Sequence, residues 1–428
     1  MSSVNRNDRP TNLRAIGSSA REAAQGLAQL STTKKNEILA AMAEALRAQT
    51  ADILKANALD ISAAEAADLD PAIIDRLTLT SERMDGIAAA IDVVEALPDP
   101  VGAIDDARRL PNGLEIGRRR VPLGVVAVIF EARPNVTVDI SALCLKAGNA
   151  VILRGGSEAL QSNIALANVI RKAAEMAGAP SSSVQLIDNP DRSLLEELVR
   201  DRAHVDVVVP RGGAGLINFV SRTATVPVIE TGWGVCHTLV DGGADVAMAE
   251  RIVLNAKTRR PSICNALDTM LVHREVADVF LPSVCRALTN AGVELHVDAD
   301  VLTVLGTKIP SVPLGNDDLD TEWLALRMSV VVVEDLDHAL THIQDHGSGH
   351  SEAIVTSSLR SARRFVNEVD AAAVYVNAST QFTDGGEFGL GAEIGISTQK
   401  LHARGPMGLR EMTTYKWIIH GDGQVRPV

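Results

Sequence analysis

The residues with the clearest chemical potential lie in N-A-K-T-R-R-P-S-I-C-N-A, Asn255 to Ala266. A cysteine attacks carbon as its thiolate, and nearby cations lower its pKa from about 8.5. Cys264 has Lys257, Arg259 and Arg260 upstream in the same segment, and Pro261 favours an extended chain between them. This is the composition of a loop carrying a nucleophile. Cys236, beside His237 in G-V-C-H-T-L-V, has the makings of a Cys/His pair, but neighbours on a strand point to opposite faces. Cys144 in A-L-C-L and Cys285 in S-V-C-R-A-L read as small buried apolar residues. The four cysteines show neither C-x-x-C nor framework spacing, so neither a zinc site nor a disulfide scaffold is expected.

His338, His342, His346 and His350 recur every fourth residue, a spacing that stacks side chains on one helix face. Gly347-Ser348-Gly349 must end such a helix, which removes His350 from that face and makes it a candidate polar contact for a ligand. His338 and His342 read as a solvated stripe, and no metal is expected. Two glycine turns are of a different kind. V-I-L-R-G-G-S-E-A, with Arg154, Gly155, Gly156 and Ser157, and V-V-V-P-R-G-G-A-G-L-I, with Gly212, Gly213 and Gly215, each run from a strand into a helix. Such turns let a backbone approach an anion and present the N–H groups of a helix start. Neither is G-x-G-x-x-G, and each alone also suits a plain strand-to-helix turn. Together they suggest a nucleotide across the strand ends, with Arg154 and Ser157 placed to receive an anionic group on a ribose.

The elements that must position these residues fall into series. Asn12 to about Leu97 is Ala- and Leu-rich at helical spacing, as in Ile38, Leu39, Met42 and Leu46. Beyond Pro98-Asp99-Pro100, β-branched runs alternate with helix-length stretches: 125–130, 150–153, 205–209 and 226–229, then 269–272, 293–297, 329–333, 353–355 and 373–376. Near-continuous Val/Ile/Leu runs between helices indicate parallel sheets covered on both faces, here in two α/β lobes. Arg108 to Arg120 holds Asn112-Gly113 between two candidate strands, a hairpin signal open to two readings, an ordinary surface hairpin or an oligomerisation arm. Val376 to Gly408 carries seven glycines and reads as a long structured loop with a functional role.

Composition bounds the ligand. The chain of 428 residues carries 41 Lys+Arg against 54 Asp+Glu, net −13, and only 3% of it is aromatic. That balance argues against a nucleic-acid binder, which needs a basic face or stacking rings. With 46% apolar residues each lobe can bury a core. The polar start, Met1 to Leu13, resembles no signal peptide, and no apolar run reaches about 18 residues, so a cytoplasmic protein that meets no membrane is expected.

Four long runs carry a specific resemblance: Val121 to Asn135 (V-P-L-G-V-V-A-V-I-F-E-A-R-P-N), Asn255 to Asn265, Val376 to Glu393, and Ser397 to Leu409 (S-T-Q-K-L-H-A-R-G-P-M-G-L). Over essentially its whole length the chain resembles the aldehyde dehydrogenase superfamily, in its branch that reduces an acyl phosphate. The resemblance implies an α/β, aldehyde-dehydrogenase-like fold of two Rossmann-like parallel-sheet lobes plus a small oligomerisation arm. Residues 1–107 and 121–235 would be the helical lead-in and cofactor-binding domain, 236–410 the catalytic domain, and 108–120 with 411–428 the arm. It implies NADPH-dependent reduction of L-glutamyl 5-phosphate to L-glutamate 5-semialdehyde with release of phosphate, the second step of proline biosynthesis. Cys264 would be the nucleophile, and Asn135 and the Cys264 N–H the oxyanion donors. Arg133, Lys257, Arg259, Arg260 and His350 would meet phosphate or substrate. The cofactor would be held by Arg154, Gly155, Gly156, Ser157, Gly212, Gly213, Gly215 and Glu322. A homo-oligomer is implied, with the upstream glutamate 5-kinase as a further partner, because the acyl phosphate is labile. Glu230, in V-I-E-T-G-W-G, falls where hydrolytic members hold a water-activating glutamate and is not assigned a catalytic role. The alternatives are a hydrolytic NAD(P)-dependent semialdehyde dehydrogenase and, from another class, a two-lobed binding protein without chemistry.

Overall fold

The structure, a computed structural model, describes residues 12–426; most of the polar start, Met1 to Thr11, and the last two residues of the tail lie outside it. The described chain divides into two compact units: 12–231 with Leu390–Gly395 and 407–426, and Gly232–Gly389 with Ile396–Pro406. No described helix is long and apolar enough to cross a membrane.

Unit one opens with five helices, α1 (Leu13–Leu27), α2 (Thr32–Ala48), α3 (Thr50–Ala66), α4 (Pro71–Leu77) and α5 (Ser81–Ala96). Asn12, Ser31 and Thr80 accept amide hydrogen bonds that cap α1, α2 and α5. Ile38, Leu39, Met42 and Leu46 of α2 are buried, as their spacing predicts. The hairpin β1 (Ile104–Arg109) and β2 (Glu115–Pro122) turns at Gly113 (φ +89°), and β2 pairs antiparallel with β16 (Thr413–His420) at the chain's end.

A parallel sheet follows from β3 (Val125–Phe130), α6 (Val136–Lys146), β4 (Ala150–Gly155), α7 (Leu160–Met176), β5 (Val184–Leu186), α8 (Arg192–Arg200), β6 (Val207–Arg211) and α9 (Ala214–Thr223). Its order is β5-β4-β3-β6, so the direction of winding reverses between β3 and β6. The run 226–229 is not a strand. Val228 makes a single bridge to Val208, and Pro227 has no amide hydrogen with which to continue a ladder.

Unit two contains β7 (Cys236–Val240), α10 (Val246–Thr258), β8 (Leu267–His273), α11 (Arg274–Asn290), β9 (Glu294–Val297), α12 (Ala299–Leu305), β10 (Val312–Pro313), β11 (Arg327–Val333), α13 (Leu336–His346), β12 (Ser351–Val355), α14 (Leu359–Glu368) and β13 (Ala373–Val376). Its seven parallel strands run β10-β9-β11-β8-β7-β12-β13. One side packs Phe280, Leu281, Val284 and Leu288 of α11 and Val253 of α10 on Met270, Val272 and Val330; the other packs Phe365 and Ile343 on Leu239, Leu271 and Ile354. Two short strands, β14 (Gly395–Ser397) and β15 (Gly405–Met407), complete the inventory.

Candidate active site

In unit two the chemistry-bearing residues gather where β7, β8, β11 and β12 begin. Cys264 is half-buried in the loop between α10 and β8. The next residue is the anchor: Asn265 donates to the carbonyls of Gln381 and Thr383 at 3.3 and 3.0 Å, and its own carbonyl accepts from Thr380 Oγ1 at 2.7 Å. Gln381 Nε2 donates in turn to the carbonyls of Ala256 and Arg260 at 2.9 and 3.3 Å. At the start of the glycine-rich loop Ser379, Thr380, Gln381 and Thr383 are therefore buried, with Phe382 exposed between them, and this segment clamps the thiol loop.

The three cations upstream of Cys264 separate. Arg259 and Arg260 are exposed, Arg259 reaching Gln381 Oε1 at 3.3 Å. Lys257 is fully buried with its ammonium 3.7 Å from Asp268 Oδ1, and burial lowers its pKa. Asp268 stands in β8 among apolar residues. Its two oxygens accept from the amides of Trp323 (3.1 Å) and Cys236 (3.3 Å), while burial, opposed by Lys257, pushes its carboxyl up to about 7. Glu322 accepts from the Gly234 amide at 3.0 Å, and Leu324 two residues on has φ +48°, a left-handed backbone that marks a constrained turn.

Cys236 and His237 do point apart. The Cys236 thiol donates to the Cys264 carbonyl at 3.2 Å and lies 3.9 Å from His350 Nδ1, whereas His237 Nδ1 bonds Glu352 Oε2 at 3.0 Å. Burial, reinforced by Asp268, Glu352, Cys264 and Glu322, drives the Cys236 pKa well up, so this sulfur stays a thiol. His350 is fully buried: Nδ1 meets Ser351 Oγ at 2.8 Å, Nε2 has no partner among the described residues, and burial lowers the ring to about 4. The expected solvated stripe fails at His342, which is buried edge-on to His237 with ring centres 5.4 Å apart; burial and the three neighbouring histidines depress it to about 3. Among the described residues no three His, Cys, Asp or Glu side chains stand together as metal ligands.

In unit one the candidate residues lie at the carboxyl ends of β3, β4 and β6, on both sides of the reversal in strand order, where open α/β sheets take ligands. Arg154 and Gly155 end β4, with Gly156 and the exposed Ser157 just beyond them, and Gly212 and Gly213 lead into α9. Gly215 is inside α9, where a Cβ would meet nothing. Arg154 Nη2 donates to the Pro190 carbonyl at 2.9 Å, and its Nε is buried without a partner among the described residues. Two carboxylates missed in the sequence sit in these turns: Glu131 accepts from the Gly213 amide at 3.0 Å and Glu158 from the Ala132 amide at 2.6 Å. Between them Ala132 is held at φ +37°. Arg133 is half-buried just before α6, and Asn135 Nδ2 donates to Asp139 Oδ2 at 2.8 Å. Glu230 is half-buried near the end of this unit.

The aldehyde dehydrogenase family profile matches residues 3–309 and 322–418. The chain is 54% identical to a gamma-glutamyl phosphate reductase of Salmonella newport over 97% of this chain and all of that one. It is also similar to the crystal structure of gamma-glutamyl phosphate reductase from Thermotoga maritima, with 46% identity, a TM-score of 0.94, and coverage of 97% and 100%. An engineered glycolyl-CoA reductase with bound NADP+ shares the fold at 16% identity, with a TM-score of 0.68 and coverage of 95% and 96%.

Proposed function

The chain belongs to the aldehyde dehydrogenase family, and from that membership we propose that it reduces L-glutamyl 5-phosphate to L-glutamate 5-semialdehyde with release of phosphate, the second step of proline biosynthesis from glutamate. The observation that carries this reading is full-length identity of 54% with a gamma-glutamyl phosphate reductase, coupled to a half-buried thiol on a loop with two exposed arginines.

The Cys264 thiolate attacks the acyl carbon, the bond from that carbon to the phosphate oxygen breaks, and phosphate leaves as an anion beside Arg259 and Arg260. The Cys264 amide is the donor assigned to the oxyanion, a contribution of roughly 3–4 kcal/mol. The cofactor, when bound, supplies a hydride to the thioester carbon. Collapse of the resulting thiohemiacetal breaks the C–S bond, frees the semialdehyde and restores the thiolate.

The family uses NAD(P), and the finer choice of NADPH rests on Arg154. Its partnerless buried Nε is a donor matched to a phosphate on the ribose. Glu322 suits ribose hydroxyls. The three-stranded arm, with Tyr415, Trp417 and Ile419 exposed on one face of β16, supports a homo-oligomer. The lability of the acyl phosphate supports a kinase partner, and cysteines without framework spacing support a cytoplasmic setting.

The test is oxidation of L-glutamate 5-semialdehyde with NADP+, followed at 340 nm. NADPH must form only when inorganic phosphate is added. Turnover without phosphate would assign the chain to the hydrolytic dehydrogenases instead.

A further inference from the structure

Lys257 stands in sequence with the phosphate-binding cations, yet its ammonium is withdrawn from solvent and faces Asp268. A buried lysine and a buried aspartate are costly to hold, and a hydrophobic pair of similar size often serves stability equally well. The geometry around them shows what this pair does besides. Asp268 Oδ2 accepts from the Cys236 amide and Oδ1 from the Trp323 amide, so one carboxylate fixes both the start of β7 and the turn bearing Glu322. Gly234 at that start donates its amide to Glu322 Oε1, and Cys236 donates its thiol to the Cys264 carbonyl. Four short contacts thus tie the assigned ribose residue and the assigned nucleophile to a single strand start, with Asp268 at the centre.

We propose that Asp268, with Lys257 as its counter-ion, is a positioning residue that fixes Glu322 and Cys264 relative to one another through Gly234 and Cys236. The inference rests on the reductase reading for the roles of Glu322 and Cys264. Hydride transfer requires the reacting atoms to be held within a few tenths of an ångström, so loosening this link slows the chemical step more than it weakens substrate binding.

The experiment compares Asp268→Asn, Asp268→Glu, Glu322→Gln, Asp268→Asn/Glu322→Gln and Lys257→Met/Asp268→Asn in the full chain. Asp268→Asn is expected to lower kcat about 30-fold with a change in substrate KM under threefold. Asp268→Glu, which keeps the charge and both oxygens, recovers at least a tenth of parental kcat. Lys257→Met/Asp268→Asn removes both charges and regains the thermal midpoint while kcat stays low. Asp268→Asn/Glu322→Gln is no slower than the slower single variant, because Asp268→Asn forfeits one of two amide acceptors and Glu322→Gln replaces the carboxylate acceptor of the Gly234 amide by a weaker amide oxygen, so both loosen the same link. If Lys257→Met/Asp268→Asn recovers activity together with stability, or if the Asp268 and Glu322 effects multiply, the pair is structural only and the proposal fails.

A readout independent of substrate separates this from the functional reading. The rate of Cys264 alkylation by iodoacetamide at pH 7 should fall more than fivefold in Asp268→Asn, which keeps the Lys257 cation and removes an anion, so that the change of charge alone would raise it. An unchanged rate overturns the positioning role even if the parent proves to be a phosphate-dependent reductase. A fall in that rate sustains the role even if the parent shows no phosphate-dependent turnover. Should Lys257→Met/Asp268→Asn not fold, the alkylation rate, the Asp268→Glu recovery and the multiplicativity with Glu322→Gln decide the matter.

Discussion

The thiol of Cys236 donates a hydrogen bond to the carbonyl oxygen of Cys264 across 3.2 Å, so two of the four cysteines meet through one sulfur and one backbone oxygen. The arrangement assigns them opposite roles. Cys236 must keep its proton to donate, and its acidic, buried surroundings ensure that it does. Iodoacetamide at pH 7 should therefore label Cys264 alone, since burial also raises Cys144 and pushes Cys285 up to about 12. Cys264→Ser should lose at least about 10³-fold in kcat, whereas Cys236→Ser, which retains a donor, should stay within tenfold of the parent. Peptide mapping after alkylation and steady-state rates check both; modification at Cys236 would contradict the assignment.

The same approach makes Gly234 irreplaceable. A Cβ there would lie 1.8 Å from the Cys264 carbonyl oxygen, a backbone atom unable to swing aside. Gly234→Ala should abolish activity and lower stability by several kcal/mol. Gly86→Ala is the contrast. Gly86 is exposed inside α5 with nothing within 4 Å of its Cβ position, so alanine should raise stability by about 0.5–1 kcal/mol with activity intact. Urea titrations of the two variants measure both signs.

Cofactor choice hangs on one guanidinium. If Arg154 receives the ribose phosphate, Arg154→Ala removes a charge-assisted hydrogen bond worth about 1.5–3 kcal/mol, or roughly 10–100-fold in KM for NADPH. KM for NADH should move less than threefold. Equal losses with both cofactors would show that Arg154 supports the turn through Pro190 rather than reading the phosphate.

The arm offers a separate test. Tyr415, Trp417 and Ile419 alternate on one face of β16, with the Arg118 guanidinium 4.9 Å from the Tyr415 ring centre and 6.0 Å from that of Trp417. Trp417→Glu should shift the sedimentation coefficient to that of a monomer without loss of helical circular dichroism. An unchanged coefficient would place any self-association elsewhere on the chain.

Much of this site was readable from residue order, and the remainder shows what order does not encode. The thiol loop, the glycine turns and the strands flanking them follow from local pattern, because a β-branched run or a proline acts on its own neighbours. The fate of Lys257 does not. It lies three residues from Arg260, yet it ends the buried side of α10 while Arg259 and Arg260 leave the helix exposed. Asp268 is different again: an acid inside A-L-D-T-M-L-V is a legible anomaly, since a carboxylate in a run this apolar must find partners. Glu131 and Glu158 are not legible in the sequence, because a carboxylate beside an expected anion site reads as unfavourable until its own amide partners are seen. His342 departs from the solvated face that its spacing predicts, because helical spacing gives the face a residue shares but not what covers that face.

His350 supplies a pH prediction with a definite sign. Its ring titrates near 6.5 in an unfolded chain and at about 4 when buried, so on acidification the unfolded state takes the proton first. The stability that neutral His350 permits is complete above pH 6.5 and is lost as pH falls toward 4, by about 2–3 kcal/mol between pH 7 and 4.5. Asp139 and Asp268, raised to about 6 and 7, work in the opposite direction over the same range and flatten the overall profile. A difference measurement isolates the histidine. His350→Gln, unfolded by urea beside the parent, should be the less stable protein at pH 7 for loss of its packing. It should gain on the parent by about 2–3 kcal/mol as the pH is lowered to 4.5. A gap that stays constant from pH 7 to 4.5 would mean that His350 takes up its proton in the folded protein as readily as in the unfolded one.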